Sequence, residues 1–157
     1  MPFAPRTGGA RRRFLLALPG MLALLASPLA RAAELLTFDG LYKSNTVLGL
    51  KFADRTLALK GESVRLRGYM APPLKPESKF FVLTREPVAI CPFCSSDAEW
   101  PVDIVVIYAS KTVIPSNFSE RLEVEGRLEV GSYTDPVTGF VSQLRLRDAV
   151  FHKIKDQ

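Results

Sequence analysis

The sequence predicts an all-β fold, a small antiparallel barrel of five or six strands, on three observations. Residues 63–70 and 121–130 alternate apolar with charged or polar side chains, the period of two that turns one strand face inward. Each segment carries a glycine on its apolar side, Gly68 and Gly126, as a strand does at a bulge or a sharp bend. Helix signal is nearly absent beyond the N-terminal segment.

That segment stands apart from the domain. Arg11-Arg12-Arg13-Phe14-Leu15-Leu16 opens an apolar run to Ala26, and Ser27-Pro28-Leu29-Ala30-Arg31-Ala32 closes it with a small-residue box. This is the layout of a secretory signal peptide, residues 1–32, cut after Ala32. The paired arginines before x-Phe-Leu also match the twin-arginine export address, whose cargo crosses the membrane folded. A permanent anchor needs roughly 20 apolar residues. Phe14 to Ala30 is a little short and is interrupted by Pro19, Gly20 and Pro28, and no later segment is long enough to span. Residues 33–157 are therefore read as one domain, periplasmic or secreted.

The charge balance excludes one function class. Of 21 basic residues, Arg6, Arg11, Arg12, Arg13 and Arg31 lie in the removed segment, leaving 16 against 16 acidic ones. The exported part is formally neutral and lacks the basic footprint of a nucleic-acid binder. Its length suffices for one core.

Along the domain, Leu35 to Phe38 and Thr46 to Phe52 read as short strands, and Leu57 to Glu62 as a lead-in and turn. Val64, Leu66 and Met70 form the apolar face of the next strand, which Ala71-Pro72-Pro73 ends because proline cannot donate to a ladder. Phe80 to Thr84 is its hairpin partner. Val102 to Tyr108 is a nearly continuous β-branched run, suited to a central strand. Leu122, Val124, Leu128 and Val130 repeat the alternation, Asp135 to Gly139 is a turn by composition, and Phe140 to Ile154 is one long strand bulged near Asp148-Ala149. Sharply bent strands in a domain of this size fit the five-stranded OB-fold, with a β-sandwich as the alternative.

Cys91 and Cys94, spaced by Pro92-Phe93, are the only thiols and the strongest candidate site. Three chemistries suit the pair. As a metal site it is half of a tetrahedral zinc set. His152, the sole histidine, together with Asp97 and Glu99, can complete it, or a second copy can add two more thiolates. Copper(I) prefers sulfur and accepts fewer ligands, so Met70 can join instead. As a redox pair, Cys91 attacks and Cys94 resolves, although Pro101 leaves only residues 95–100 for the helix such enzymes place there. As a structural pair, an oxidising compartment favours a disulfide that clamps the loop, with Phe93 and Trp100 packing beside it.

Other candidates are weaker. His152 alone reads as a strand-end residue. Arg65 and Arg67, with Arg145 and Arg147, form either an anion-binding stripe or, more simply, a solvated face paired with Glu123, Glu125 and Glu129. One histidine and no G-x-S-x-G give a Ser-His-Asp hydrolase little support.

At Gly68-Tyr69-Met70-x-Pro72, Phe81-x-Leu83 and Cys91-Pro92-Phe93-Cys94 the chain resembles a group of small exported bacterial proteins of unknown function, over roughly residues 60–153. The resemblance implies an OB-like barrel and, for some members, an accessory role beside a transport system. It implies no catalytic residues and no ligand. The functional expectation is an exported, non-catalytic binding or accessory protein, with zinc or copper as the metal if one is bound; the competing reading is a periplasmic thiol-disulfide redox protein.

Overall fold

The computed structural model describes Met1 and residues 32–46, 49–72, 79–89, 100–113 and 117–155. The chain divides between Ala30 and Arg31, and every described strand and helix belongs to the second unit.

Among the described residues there are eight strands: β1 (Glu34–Leu36), β2 (Tyr42–Thr46), β3 (Gly49–Phe52), β4 (Ser63–Met70), β5 (Phe80–Thr84), β6 (Ile104–Ala109), β7 (Arg121–Thr134) and β8 (Val141–Lys153). One 3-10 turn, Phe38–Gly40, and one five-residue helix, α1 (Asp54–Ala58), complete the inventory. No described helix is long and apolar enough to cross a membrane. Six strands form one sheet in the order β1-β4-β5-β6-β8-β7, and β4 pairs with β7 as well; β2 and β3 form a separate ribbon.

The all-β expectation holds; a wholly antiparallel barrel does not. β6 runs parallel to β8 and β1 parallel to β4, so the sheet is mixed. A hydrophobic pattern marks a strand without recording the direction of its neighbour, so the parallel pairs leave no trace in it. The seam between β4 and β5 is also short, with Tyr69 opposite Thr84 and Met70 opposite Leu83, extended by the Ala71 N–H to the Val82 carbonyl at 2.9 Å. Closure there is too slight to make the sheet a sealed barrel.

β4 has two edges with different partners. One pairs antiparallel with β7 from Ser63 opposite Arg127 to Tyr69 opposite Arg121. Because Val64 to Leu66 also pair with β1, and Tyr69 also pairs with β5, the other edge is shared by β1 and then β5. The two glycine-bearing segments are thus each other's partners in an unbroken register, Gly68 opposite Leu122 and Gly126 opposite Val64. A methyl group added at Gly68 would press on the Thr84 backbone carbonyl, with Leu83 Cγ at 3.0 Å; one at Gly126 would meet the Arg147 carbonyl at 2.9 Å. Glycine at both positions permits close backbone approach.

The main core gathers the inward faces: Val64, Leu66 and Met70 of β4, Phe81 and Leu83 of β5, Val105 and Ile107 of β6, with Leu122, Val124 and Leu128 of β7 and Leu144 and Leu146 of β8. β5 and β6 are buried on both faces, since a second cluster of Ala71, Val82 and Ile104 covers their other side with Val88, Trp100 and Phe140. This accounts for their continuous apolar sequence, where a strand with one wet face would alternate.

Two local expectations are met and two are revised. Asp148 carries a positive φ of 53° where the β7–β8 register shifts, the bulge expected in the last strand. The Asp135–Gly139 turn is closed by the Asp135 carboxylate, which accepts from the Val137 and Thr138 backbone N–H groups at 3.1 and 2.8 Å. Phe38, expected in a strand, instead belongs to the 3-10 turn, and α1 occupies part of the span read as a lead-in. A single helical turn is too short to impose a hydrophobic period.

Candidate functional site

The cysteine segment lies between β5 and β6 in sequence, and the described residues on both sides of it are anchored. Across its base the Arg85 N–H donates to the Asp103 carbonyl at 3.0 Å. Val88 on one side and Trp100 on the other pack into the second cluster over β5 and β6, and Trp100 also touches the main core. The Trp100 indole Nε1 donates to the Tyr42 hydroxyl at 2.7 Å, which ties this base to β2. Burial pushes the Tyr42 hydroxyl up to about 12, against the smaller lowering effect of the Trp100 hydrogen bond. Tyr42 stacks on Phe52 of β3 with ring centres 5.3 Å apart. Trp100 is therefore a packing residue, as its place beside the motif suggests.

Cys91, Cys94, Asp97 and Glu99 lie outside the described residues, as does Phe93. Met70 sits at the end of β4, 1% exposed and part of the main core. His152 is exposed on β8, opposite Glu123, whose neighbours Leu122 and Val124 point into that core. Alternation along the strands then sends Met70 inward and His152 outward. The two do not meet, so a single ion takes at most one of them. Among the described residues no group of three or more His, Cys, Asp or Glu side chains is placed to hold a metal.

The four strand arginines form a paired face. Arg67 Nε donates to Glu123 at 2.7 Å and Arg65 Nη1 to the same carboxylate at 3.3 Å. The hydrogen bond from Arg67, helped by Arg65, holds the Glu123 carboxyl below the usual range despite its burial. Arg145 and Arg147 both reach Glu129, with Nε distances of 2.8 and 3.2 Å. Burial works to raise Glu129, and the two arginines outweigh it. Each Arg-x-Arg pair is thus spent on a glutamate of β7.

One association is not legible in the sequence. The Arg147 guanidinium packs against both Tyr108 and Tyr133, whose rings meet edge to face, its central carbon 3.8 and 4.5 Å from the ring centres, and Arg145 covers Tyr133 at 4.7 Å. The Tyr108 hydroxyl donates to Asp135 at 3.0 Å. Burial, followed by that bond to an anionic acceptor, raises Tyr108 well above the ordinary phenol range. These tyrosines lie far from the arginines in sequence, and only the β6–β8–β7 pairing brings them together. Their hydrogen bonds and stacking are satisfied internally, which makes the cluster a brace for the sheet.

No family model matches the chain, and no curated relative does. Among solved structures the chain is similar to a DUF3299 family protein from Pseudomonas aeruginosa PAO1, with a TM-score of 0.54 and 15% identity, over 80% of this chain and 99% of that one. At that identity the likeness is one of fold, and the neighbour's name assigns it no activity.

Proposed function

We propose that this chain is an exported, non-catalytic binding or accessory protein whose partly open OB-like barrel presents Cys91 and Cys94 as ligands for zinc or copper. The observation that carries the reading is the anchored base of the cysteine segment. The Arg85–Asp103 bond, Val88 and Trp100 fix the described residues on either side of that segment to a sheet buried on two faces, the rigid support that a ligand site needs. The strand path adds support for the OB-like description: β4-β5-β6-β8-β7 returns to β4, which is shared between β5 and β7. An accessory role beside an exported or membrane transport system fits the resemblance carried by Gly68-Tyr69-Met70 and the Cys-Pro-Phe-Cys pair, and the Arg11-Arg12 leader supplies the route out of the cytoplasm.

The test is elemental analysis with thiol titration. Protein purified under reducing conditions is expected to hold stoichiometric zinc or copper, lost in Cys91→Ser and in Cys94→Ser. Metal-free protein whose thiols exchange rapidly with glutathione overturns the ligand reading in favour of redox chemistry, and a metal-free, stably oxidised pair overturns it in favour of a loop clamp.

A further inference from the structure

The bond at which the leader is expected to be cut, Ala32–Ala33, lies immediately before β1. Ala32 is exposed. On the other side of the bond the chain is tied down at once. The Ala33 carbonyl accepts from Arg65 Nε at 3.0 Å, and Glu34 to Leu36 pair in parallel with Val64 to Leu66. Arg55 Nε donates to the Glu34 carboxylate at 2.7 Å, and Leu36 is buried in the main core. One residue, about 3.3 Å of extended chain, therefore separates the bond from the sheet, and that residue is itself held by Arg65. A protease receives its substrate as an extended strand, with residues on both sides of the bond inside the cleft. No cleft can close around Ala33 and Glu34 while they are docked on β4.

We infer that β1 is a latch on leader removal: the folded precursor keeps its leader while β1 is docked on β4 and loses it when β1 opens. This rests on the export reading above and adds the control of its last step. In that step water adds across the Ala32–Ala33 amide, leaving a carboxylate on Ala32 and an ammonium on Ala33. Cargo of the twin-arginine route crosses the membrane folded, so it reaches the peptidase with β1 already in place. Opening is then a local event whose population sets the rate of cleavage. β1 suits the part, because three residues at a sheet edge with one buried leucine open more readily than the strands behind them. Until it opens, the uncut leader keeps the domain at the membrane. The latch uses neither thiol and is independent of the metal reading.

The test is cleavage of the full-length precursor in detergent by a purified bacterial signal peptidase, with the product's mass and first residue read by mass spectrometry. Three precursors are compared: the parent, a variant with Ala-Ser-Gly-Ser inserted between Ala32 and Ala33, and Leu36→Ala. The insertion keeps a small residue after the cut and leaves β1 intact while moving the bond clear of the sheet, so this variant is expected to keep the parent's urea midpoint. It is expected to be cut after Ala32 about tenfold or more faster than the parent, the scale set by holding one buried leucine in place. Leu36→Ala, which weakens the docking itself, is also expected to be cut faster than the parent. A parent cut as fast as the insertion variant, or Leu36→Ala cut no faster than the parent, overturns the latch and leaves the export reading standing. No cut after Ala32 in any of the three overturns the leader and the latch together.

Discussion

Glu123 is 8% exposed and receives two guanidinium groups, so replacing it leaves both arginines without their acceptor. Glu123→Gln is expected to lower stability by about 1–3 kcal/mol, read from urea denaturation at pH 7. Its folded pKa is depressed, so its contribution is fully present above the unfolded value, about 4.3, and is lost as pH falls through the lower folded value. The parent's denaturation midpoint should therefore drop on acidification below about pH 4.3, and the drop should be shallower in Glu123→Gln, with Glu129 supplying part of what remains. Gly68 and Gly126 make the second residue-scale case. Gly68→Ala forces a methyl against backbone oxygen and is expected to cost about 2–3 kcal/mol; Gly126→Ala, with neighbours at 2.9 to 3.1 Å, should cost about 1–2.

Between elements, the outer face of β6, β8 and β7 is braced by a planar cation held against two phenol rings set edge to face. Lysine carries the same charge but cannot stack as a plane. Arg147→Lys is expected to lose about 1 kcal/mol in thermal or urea unfolding, and a result equal to the parent would show that charge alone suffices. The base of the cysteine segment obeys a different logic, in which Val88 and Trp100 are held by apolar burial and one indole hydrogen bond. How much of this is legible in the sequence depends on the range of each signal. Alternation of two and the glycines on the apolar face mark β4 and β7, and the pairing of charges at Arg65, Arg67, Arg145 and Arg147 follows from strand-face chemistry. The tyrosine brace and the Trp100–Tyr42 bond arise from pairings between distant segments, which no local pattern encodes. Of the metal candidates, the sequence cannot tell that Met70 and His152 leave opposite sides of the sheet, because that depends on which partner each strand acquires.

For the molecule as a whole, β1 is a three-residue strand that covers part of one edge of β4. It is held by Leu36 in the core, by Arg65 Nε on the Ala33 carbonyl at 3.0 Å, and by the Arg55–Glu34 ion pair. Deleting residues 33–36 is expected to destabilise the protein by about 2–3 kcal/mol through loss of the Leu36 burial. It also leaves an unpaired strand edge, so concentration-dependent association should appear by size-exclusion chromatography; a monomer of unchanged stability would refute the role given to β1. The pairing of β4 with β7 has a kinetic consequence. It joins positions about sixty residues apart, so the chain must close a long loop before those contacts repay its entropy. Refolding should therefore proceed in the millisecond-to-second range typical of non-local β topologies, and the rate-limiting search should be for a distant partner rather than for local structure.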